Sequence, residues 1–231
     1  MDYRDRHVIV TGGTGALGAA VVGGLVEAGA VCHVPYVVAA EAERFALRQH
    51  ERVKLVAMSD LGDEADVARL YGGVDQLWAS IHLVGGFAMA DVAKTTKADL
   101  MKQIEMNLVT AFLCSRGAVN AMTGRGGRIV NVAARPALEP RSGAGMAAYT
   151  ASKAAVAAFT MALAEEVAKL GILVNAVAPS IMDTPANRAA MPKADYAAWP
   201  KVEEVAATIL FLASPQNAVS RGGIVPVYGR S

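Results

Sequence analysis

Cysteine is nearly absent: Cys32 and Cys114 are the only two in 231 residues. A pair so far apart makes no disulfide framework, and both read as small buried apolar side chains. Histidine is as sparse, with His7, His33, His50 and His82 dispersed along the chain. No His/Cys/carboxylate cluster has the spacing of a metal site, so no metal is expected. An excess of one charge is also missing. The formal net charge is +1, with both signs scattered, which leaves no basic stripe for a nucleic acid. No apolar helical run reaches the ~20 residues of a bilayer span; the most apolar runs only from Ala154 to Ala164. The opening MDYRDRH is charged and leads directly into an apolar segment, unlike a secretory signal. No Pro/Ser-rich linker or internal repeat divides the sequence. A soluble, cytoplasmic protein without nucleic-acid or membrane partners is expected.

Apolar residues are abundant, at 54% against 19% charged. That suffices for a large core and argues against disorder. Short apolar runs read as strands at His7 to Thr11, Val31 to Tyr36, Val53 to Ala57, Leu77 to Val84, Gly127 to Val132, Ile172 to Pro179 and Gly223 to Val227. Between them, helices are expected over Ala16 to Ala28, Glu41 to His50, Asp63 to Tyr71, Lys97 to Met122, Met146 to Leu170 and Val202 to Ala213. The strands are near-continuous rather than alternating, which fits a parallel sheet covered by helices on both faces. Right-handed crossovers then give one doubly wound α/β domain over residues 1–231, with about seven strands. Sites in such sheets lie beyond the carboxyl ends of the strands.

After the first strand comes Thr11-Gly12-Gly13-Thr14-Gly15-Ala16-Leu17-Gly18. Glycines between a strand and a helix allow a tight turn and a close approach of pyrophosphate to backbone N–H groups. Gly12, Thr14, Gly15, Ala16, Leu17 and Gly18 are therefore candidate dinucleotide contacts. Asp60, after the third strand, could accept from an adenine amino group or serve the nearby helix start. Gly85 and Gly86, after the fourth, would let a cofactor pass close to the backbone. The second strand ends at Tyr36, with neither a carboxylate to hold the ribose 2′-OH of NAD nor an adjacent arginine for the phosphate of NADP. Glu41 and Arg44 lie nearby and pull in opposite directions, so NAD and NADP both stay open.

Tyr149 and Lys153 stand four residues apart in AYTASKAAV, which stacks them on one helix face. With TGGTGALG, Asn107 in EMNLVTAF, YTASK and NAVAPSIMDT, the chain resembles a short-chain dehydrogenase/reductase along essentially its whole length. The resemblance implies a Rossmann-like fold and an NAD(P)-dependent oxidoreductase acting on a small carbonyl or alcohol substrate. It makes Tyr149 the general acid/base and Lys153 the group that, together with the cofactor's nicotinamide charge, lowers the phenol's pKa from its ordinary ~10. Lys153 also binds the nicotinamide ribose, and Asn107 supports a water leading to the lysine. Tyr149, Lys153 and Asn107 are thus the expected catalytic residues. Pro179, Ile181 and Thr184 match positions that meet the carboxamide and the pyrophosphate. A homodimer or homotetramer, paired through the helices of Asn107 and Tyr149 and through the final strand, is also implied.

Two positions depart from the family pattern. Ala134 stands where most members have a serine that hydrogen-bonds the substrate oxygen, and alanine can neither donate nor accept. Ser142 is a possible substitute. His82-Leu83-Val84-Gly85 replaces an Asn-Asn-Ala-Gly run. The dihydropteridine reductase branch shares the alanine and a Gly-Gly-aromatic run, here Gly85-Gly86-Phe87. The stretches from Asp183 to Arg188 and from Met191 to Trp199 are also similar to it. A quinonoid dihydropterin reductase is therefore an alternative reading, and a weakly active dinucleotide sensor or scaffold is another. Ala134, Phe87 and Met182 are expected to face substrate, with Met146, Met191 and Trp199 as further candidate walls.

Overall fold

Val8, Ile9 and Val10 decide how the first strand is used. Strand β1 (His7–Thr11) sends Val8 and Val10 into one apolar cluster and Ile9 into a second, on the opposite face. This is the period-two alternation of a strand covered on both sides. The computed structural model describes residues 1–231. It adds β2 (Val31–Tyr36), β3 (Val53–Ala57), β4 (Leu77–His82), β5 (Gly127–Val132), β6 (Ile172–Pro179) and β7 (Ile224–Val227). All seven strands pair in parallel, in the order β3-β2-β1-β4-β5-β6-β7. The order reverses between β1 and β4, which opens a crevice at their carboxyl ends.

The helices are α1 (Ala16–Glu27), α2 (Ala39–Arg44), α3 (Glu64–Gly72), α4 (Lys97–Ile104), α5 (Thr110–Met122), α6 (Arg135–Leu138), α7 (Ala147–Glu166), α8 (Pro185–Ala190) and α9 (Val202–Ala213). Helices α1 and α9 cover one face, and α3, α5 and α7 the other. A Cβ on Gly24 of α1 would lie 2.6 Å from Leu210 Cδ1 of α9, so glycine sets how closely these two helices pack. Each fully buried aliphatic side chain in these layers contributes about 1.5–3 kcal/mol. Cys32 and Cys114 are buried and unbridged. No helix is long and apolar enough to cross a membrane, and no three His, Cys, Asp or Glu side chains gather as a metal site.

Three elements differ from the sequence expectation. The helix expected from Glu41 to His50 is only Ala39–Arg44, because Phe45 turns extended and buries its ring, 3% exposed, in the core. Strand β4 ends at His82 rather than Val84. The long helix from Lys97 to Met122 is present but carries a π turn over Glu105–Val109 between α4 and α5. Helices α6 and α8 form in segments where no element was expected.

A buried polar chain crosses the sheet. Asn131 donates its amide to Thr160 Oγ1 at 2.9 Å, which leaves its Oδ1 to accept from His82 Nδ1 at 2.8 Å. That fixes the His82 tautomer, so Nε2 is the acceptor facing Ser80 Oγ, 2.8 Å away. Tyr71 OH lies 2.7 Å from the same Ser80 oxygen. Side chains of α3, β4, β5 and α7 are thereby joined through groups that water does not reach. Burial pushes the His82 imidazole down to about 4 from 6.5. Burial, with the charges of His7 and Lys54, also lowers His33 to about 4.

The unfolded chain therefore takes up protons below pH 6.5 that the folded ring refuses until about pH 4. Stability is complete above that window and falls as the pH drops through it, by roughly 3 kcal/mol for His82 alone. Urea unfolding between pH 7 and pH 4 should show this slope and a shallower one for His82→Asn. Equal slopes in the two proteins would exclude His82 as its source.

Candidate active site

The turn from β1 into α1 is shaped by what a side chain would strike. Gly12 has φ +68°, and a Cβ there would lie 3.0 Å from the backbone of Leu83 and Val84 beyond β4. A Cβ on Gly18 would overlap the Gly12 carbonyl oxygen. The loop thus folds back on the first turn of α1 and touches the neighbouring strand end. Helix α1 starts after Gly15 with no side-chain cap and no acidic residue in its first turn. Its N-terminal N–H groups and positive dipole end are left for an anion. This bare, close-packed cradle fits the pyrophosphate of a dinucleotide.

Asn107 organises the opposite side. The π turn puts it 1% exposed in the interior, a local irregularity of the kind found at functional sites. Its Oδ1 accepts from Gly86 N and its Nδ2 donates to Gly86 O, both at 3.0 Å. The second amide hydrogen goes to Ser152 Oγ at 3.0 Å, and Ser152 donates to Tyr149 O at 2.7 Å. The glycine segment after β4 is therefore tied to the turn of α7 that carries Tyr149 and Lys153. A Cβ on Gly85 would sit 2.7 Å from Asn107 Oδ1 and 3.1 Å from Lys153 Nζ.

Lys153 is 6% exposed and donates from Nζ to Val132 O at 2.9 Å. Tyr149 projects beside it, edge-on to Phe87 with ring centroids 5.0 Å apart. Beyond β5, Ala134 is 5% exposed and brings no hydroxyl. Beyond β6, Thr184 caps α8 by accepting from Asn187 N at 3.2 Å, and Asn187 Nδ2 donates to Met182 O at 2.8 Å. These strand ends enclose one cavity of about 340 Å³.

The cavity gathers most of the expected residues. Gly12, Gly15, Ala16, Leu17, Gly18, Gly85, Gly86, Phe87, Ala134, Tyr149, Lys153, Pro179, Met182 and Thr184 all line it. Asn107 does not, and acts on it through Gly86 and Ser152. Thr14, Tyr36, Asp60 and Ile181 are also outside the lining. Thr14 Oγ1 donates to Glu41 Oε2 at 3.2 Å at the rim of the glycine turn. Ile181 is 43% exposed. Asp60 accepts from Gly62 N at 2.8 Å, and the helix start it could have served is capped by Asp63. Ser142 is exposed and donates to Glu139 O at 2.8 Å, so it does not replace the missing serine. Met146, Met191 and Trp199 do not line the cavity, and Trp199 packs on Tyr196 with centroids 5.1 Å apart. Ser180 and Asn187 line it unforeseen. The Asn187 position could have been suspected from Thr184-Pro185, a helix start three residues earlier.

Burial dominates the electrostatics of both groups in the free protein. Burial raises the Tyr149 phenol to about 12 and lowers the Lys153 ammonium to about 8. With Lys153 Nζ donating to Val132 O, burial is what sets the phenol in the free protein.

Known proteins resemble this chain in sequence and in fold. The chain is 34% identical to galactitol 2-dehydrogenase of Rhizobium johnstonii, covering 96% of this chain and 93% of that one. It is 34% identical to cis-4-hydroxycyclohexanecarboxylate dehydrogenase of Sinomonas cyclohexanicum, covering 98% and 96%. The crystal structure of gox2181 superposes with a TM-score of 0.91 at 29% identity, over 99% of this chain and 96% of that one. ElxO with NADP bound has the same fold, with a TM-score of 0.88 at 22% identity over 97% and 98%. Residues 6–195 match the model of the short chain dehydrogenase family, and this chain belongs to that family of NAD(P)-dependent oxidoreductases.

Proposed function

We propose that this protein interconverts a small carbonyl and the corresponding alcohol, with Tyr149 exchanging the proton. The observation that carries the reading is the meeting of Tyr149, Lys153 and the glycine cradle around one cavity. When bound, the nicotinamide cofactor gives or takes the hydride. Gly12, Gly15 and the first turn of α1 would hold its pyrophosphate, and Lys153 and Thr184 would hold its nicotinamide half. The high pKa of the phenol keeps it protonated at neutral pH, as a proton donor to a substrate oxygen must be. Phe87 and Met182 supply apolar walls. Two relatives named as dehydrogenases, of a polyol and of a hydroxycyclohexanecarboxylate, support an alcohol as the reduced partner that gives up the hydride.

Ala134 favours a second reading. Without a hydroxyl there, a ketone oxygen loses one hydrogen-bond donor, whereas an electron-poor ring such as a quinonoid dihydropterin needs less polarisation. The edge-on Phe87 and Tyr149 rings also suit a flat substrate. Cofactor choice follows from Glu41. Its carboxylate sits at the rim of the glycine turn through Thr14, where it would accept from a ribose hydroxyl and repel an added phosphate. NAD is therefore the proposed cofactor over NADP. The exposed Phe112 and Met161 on α5 and α7 support a homodimer or homotetramer paired through these helices.

Tyr149→Phe should lower kcat by about 10²–10⁴ while leaving NADH binding, read by fluorescence, within about twofold. Parallel loss of binding would mean that the ring holds the cofactor and not the proton. Glu41→Gln should tighten NADPH binding about tenfold and leave NADH little changed; unaltered NADPH affinity would exclude Glu41 as the discriminator. Ala134→Ser should raise ketone reduction if the first reading holds, and leave turnover of a quinonoid dihydropterin in place of the ketone if the second does.

Lys153→Met should abolish turnover yet stabilise the fold at pH 7 by roughly 1–3 kcal/mol, since a buried ammonium is replaced by an apolar chain. The folded lysine releases its proton near pH 8, below its ordinary 10.5. Wild-type stability should thus rise with pH across that window, and the variant's should not. A destabilised Lys153→Met would show that the bond to Val132 outweighs desolvation.

A further inference from the structure

A second cavity, of about 190 Å³, lies between β2, β3 and one stripe of α3. It shares no residue with the dinucleotide cleft. The helix contributes Asp66, Arg69 and Leu70, which recur at helical spacing, and Val74 follows just beyond its end. The strands contribute His33 and Val56. Nothing in the proposed reaction uses these groups.

Three features make it a built site. First, His33 is only 5% exposed, and one of its ring nitrogens has no partner in the protein. Its Nε2 faces His7 Nδ1 at 3.0 Å, and Nδ1 is left for whatever fills the cavity. Second, the apolar wall of Val56, Leu70 and Val74 gives a short hydrophobic tail somewhere to go. Third, the charge around the cavity is positive. Lys54 is the register partner of His33 and so projects to the same face of the sheet. Lys54 makes no ion pair. Arg69 stands on the other side. The carboxylate of Asp66 pairs with Arg69 and also accepts from the backbone N–H groups of Ser59 and Asp60, each at 3.0 Å, so Lys54 beside the cavity is the cation without a counter-charge.

We propose that this cavity binds a small monocarboxylate with one ring or a short aliphatic tail. The carboxylate would meet Lys54 and the free edge of Arg69, with the tail between Val56 and Leu70 and an edge atom against His33. The volume is below the 300–1,000 Å³ or so of drug-sized sites, so the ligand is no larger than a single ring. Its affinity is expected near 1 mM, roughly what so few atoms can supply.

Benzoate is the probe. Titrated into the full chain, it should shift the His33 ring nitrogens in ¹H–¹⁵N spectra along a saturable curve. Lys54→Gln, an exposed change that leaves the fold intact, should weaken that curve about fivefold, as loss of one screened charge does. Val56→Trp, which fills the cavity, should abolish it. Benzyl alcohol, of equal size without the charge, should bind at least about fivefold more weakly than benzoate. An unmoved His33 ring would overturn the proposal, including the case in which benzoate enters only the dinucleotide cleft. So would equal binding of the alcohol or an unchanged curve in Lys54→Gln, which stays decisive even if Val56→Trp does not fold.

Discussion

The site depends on one asparagine. Asn107 satisfies both backbone groups of Gly86 and still reaches Ser152. Three hydrogen bonds from a fully buried amide leave its side chain no other conformation at equal energy, because breaking any of them strands a buried polar atom at about 1–3 kcal/mol. The strand end that would admit the cofactor and the helix that carries the acid/base are thus held at one spacing. The π turn is the local distortion that brings this amide inward, and the helix continues on both sides of it.

Lys153 is held by the same packing and strains it. An ammonium 6% exposed, with one carbonyl partner, is a charge the fold would be more stable without. The cavity is where that charge acts, so function and stability pull apart at this residue. The buried chain from Tyr71 through His82 and Asn131 to Thr160 works in the other direction. It fixes β5 against α7, and Val132, which anchors the lysine, follows Asn131 directly. A neutral His82 can do this at physiological pH because burial has already removed its proton.

Much of this was legible in the residues. Near-continuous strands and regular helix spacing specified the doubly wound sheet, and the glycine turn, Tyr149 and Lys153 all meet at its switch point. Motifs show where backbone must come close or which side chains share a helix face, and those are local properties. What escaped the sequence was set by tertiary contacts. The π turn at Asn107, the early end of α2 at the buried Phe45, and Asp60 turning back on Gly62 depend on neighbours distant in the chain or on competing local bonds. The burial that raises the Tyr149 phenol in the free protein is equally a tertiary effect. Spacing places an ammonium one turn from a phenol, but it does not say that the ammonium will turn to a carbonyl or that burial will dominate both groups.

The most direct measurement is the titration of the Tyr149 phenol, read from its ¹³Cζ resonance with and without NAD⁺. The expected result is a phenol near 12 in the free protein. It should move down on addition of NAD⁺ in the wild type and stay high in Lys153→Met. A phenol that titrates at the ordinary ~10 in the free protein, or that moves equally in Lys153→Met, would contradict a burial-raised acid brought into range by Lys153 and the cofactor together.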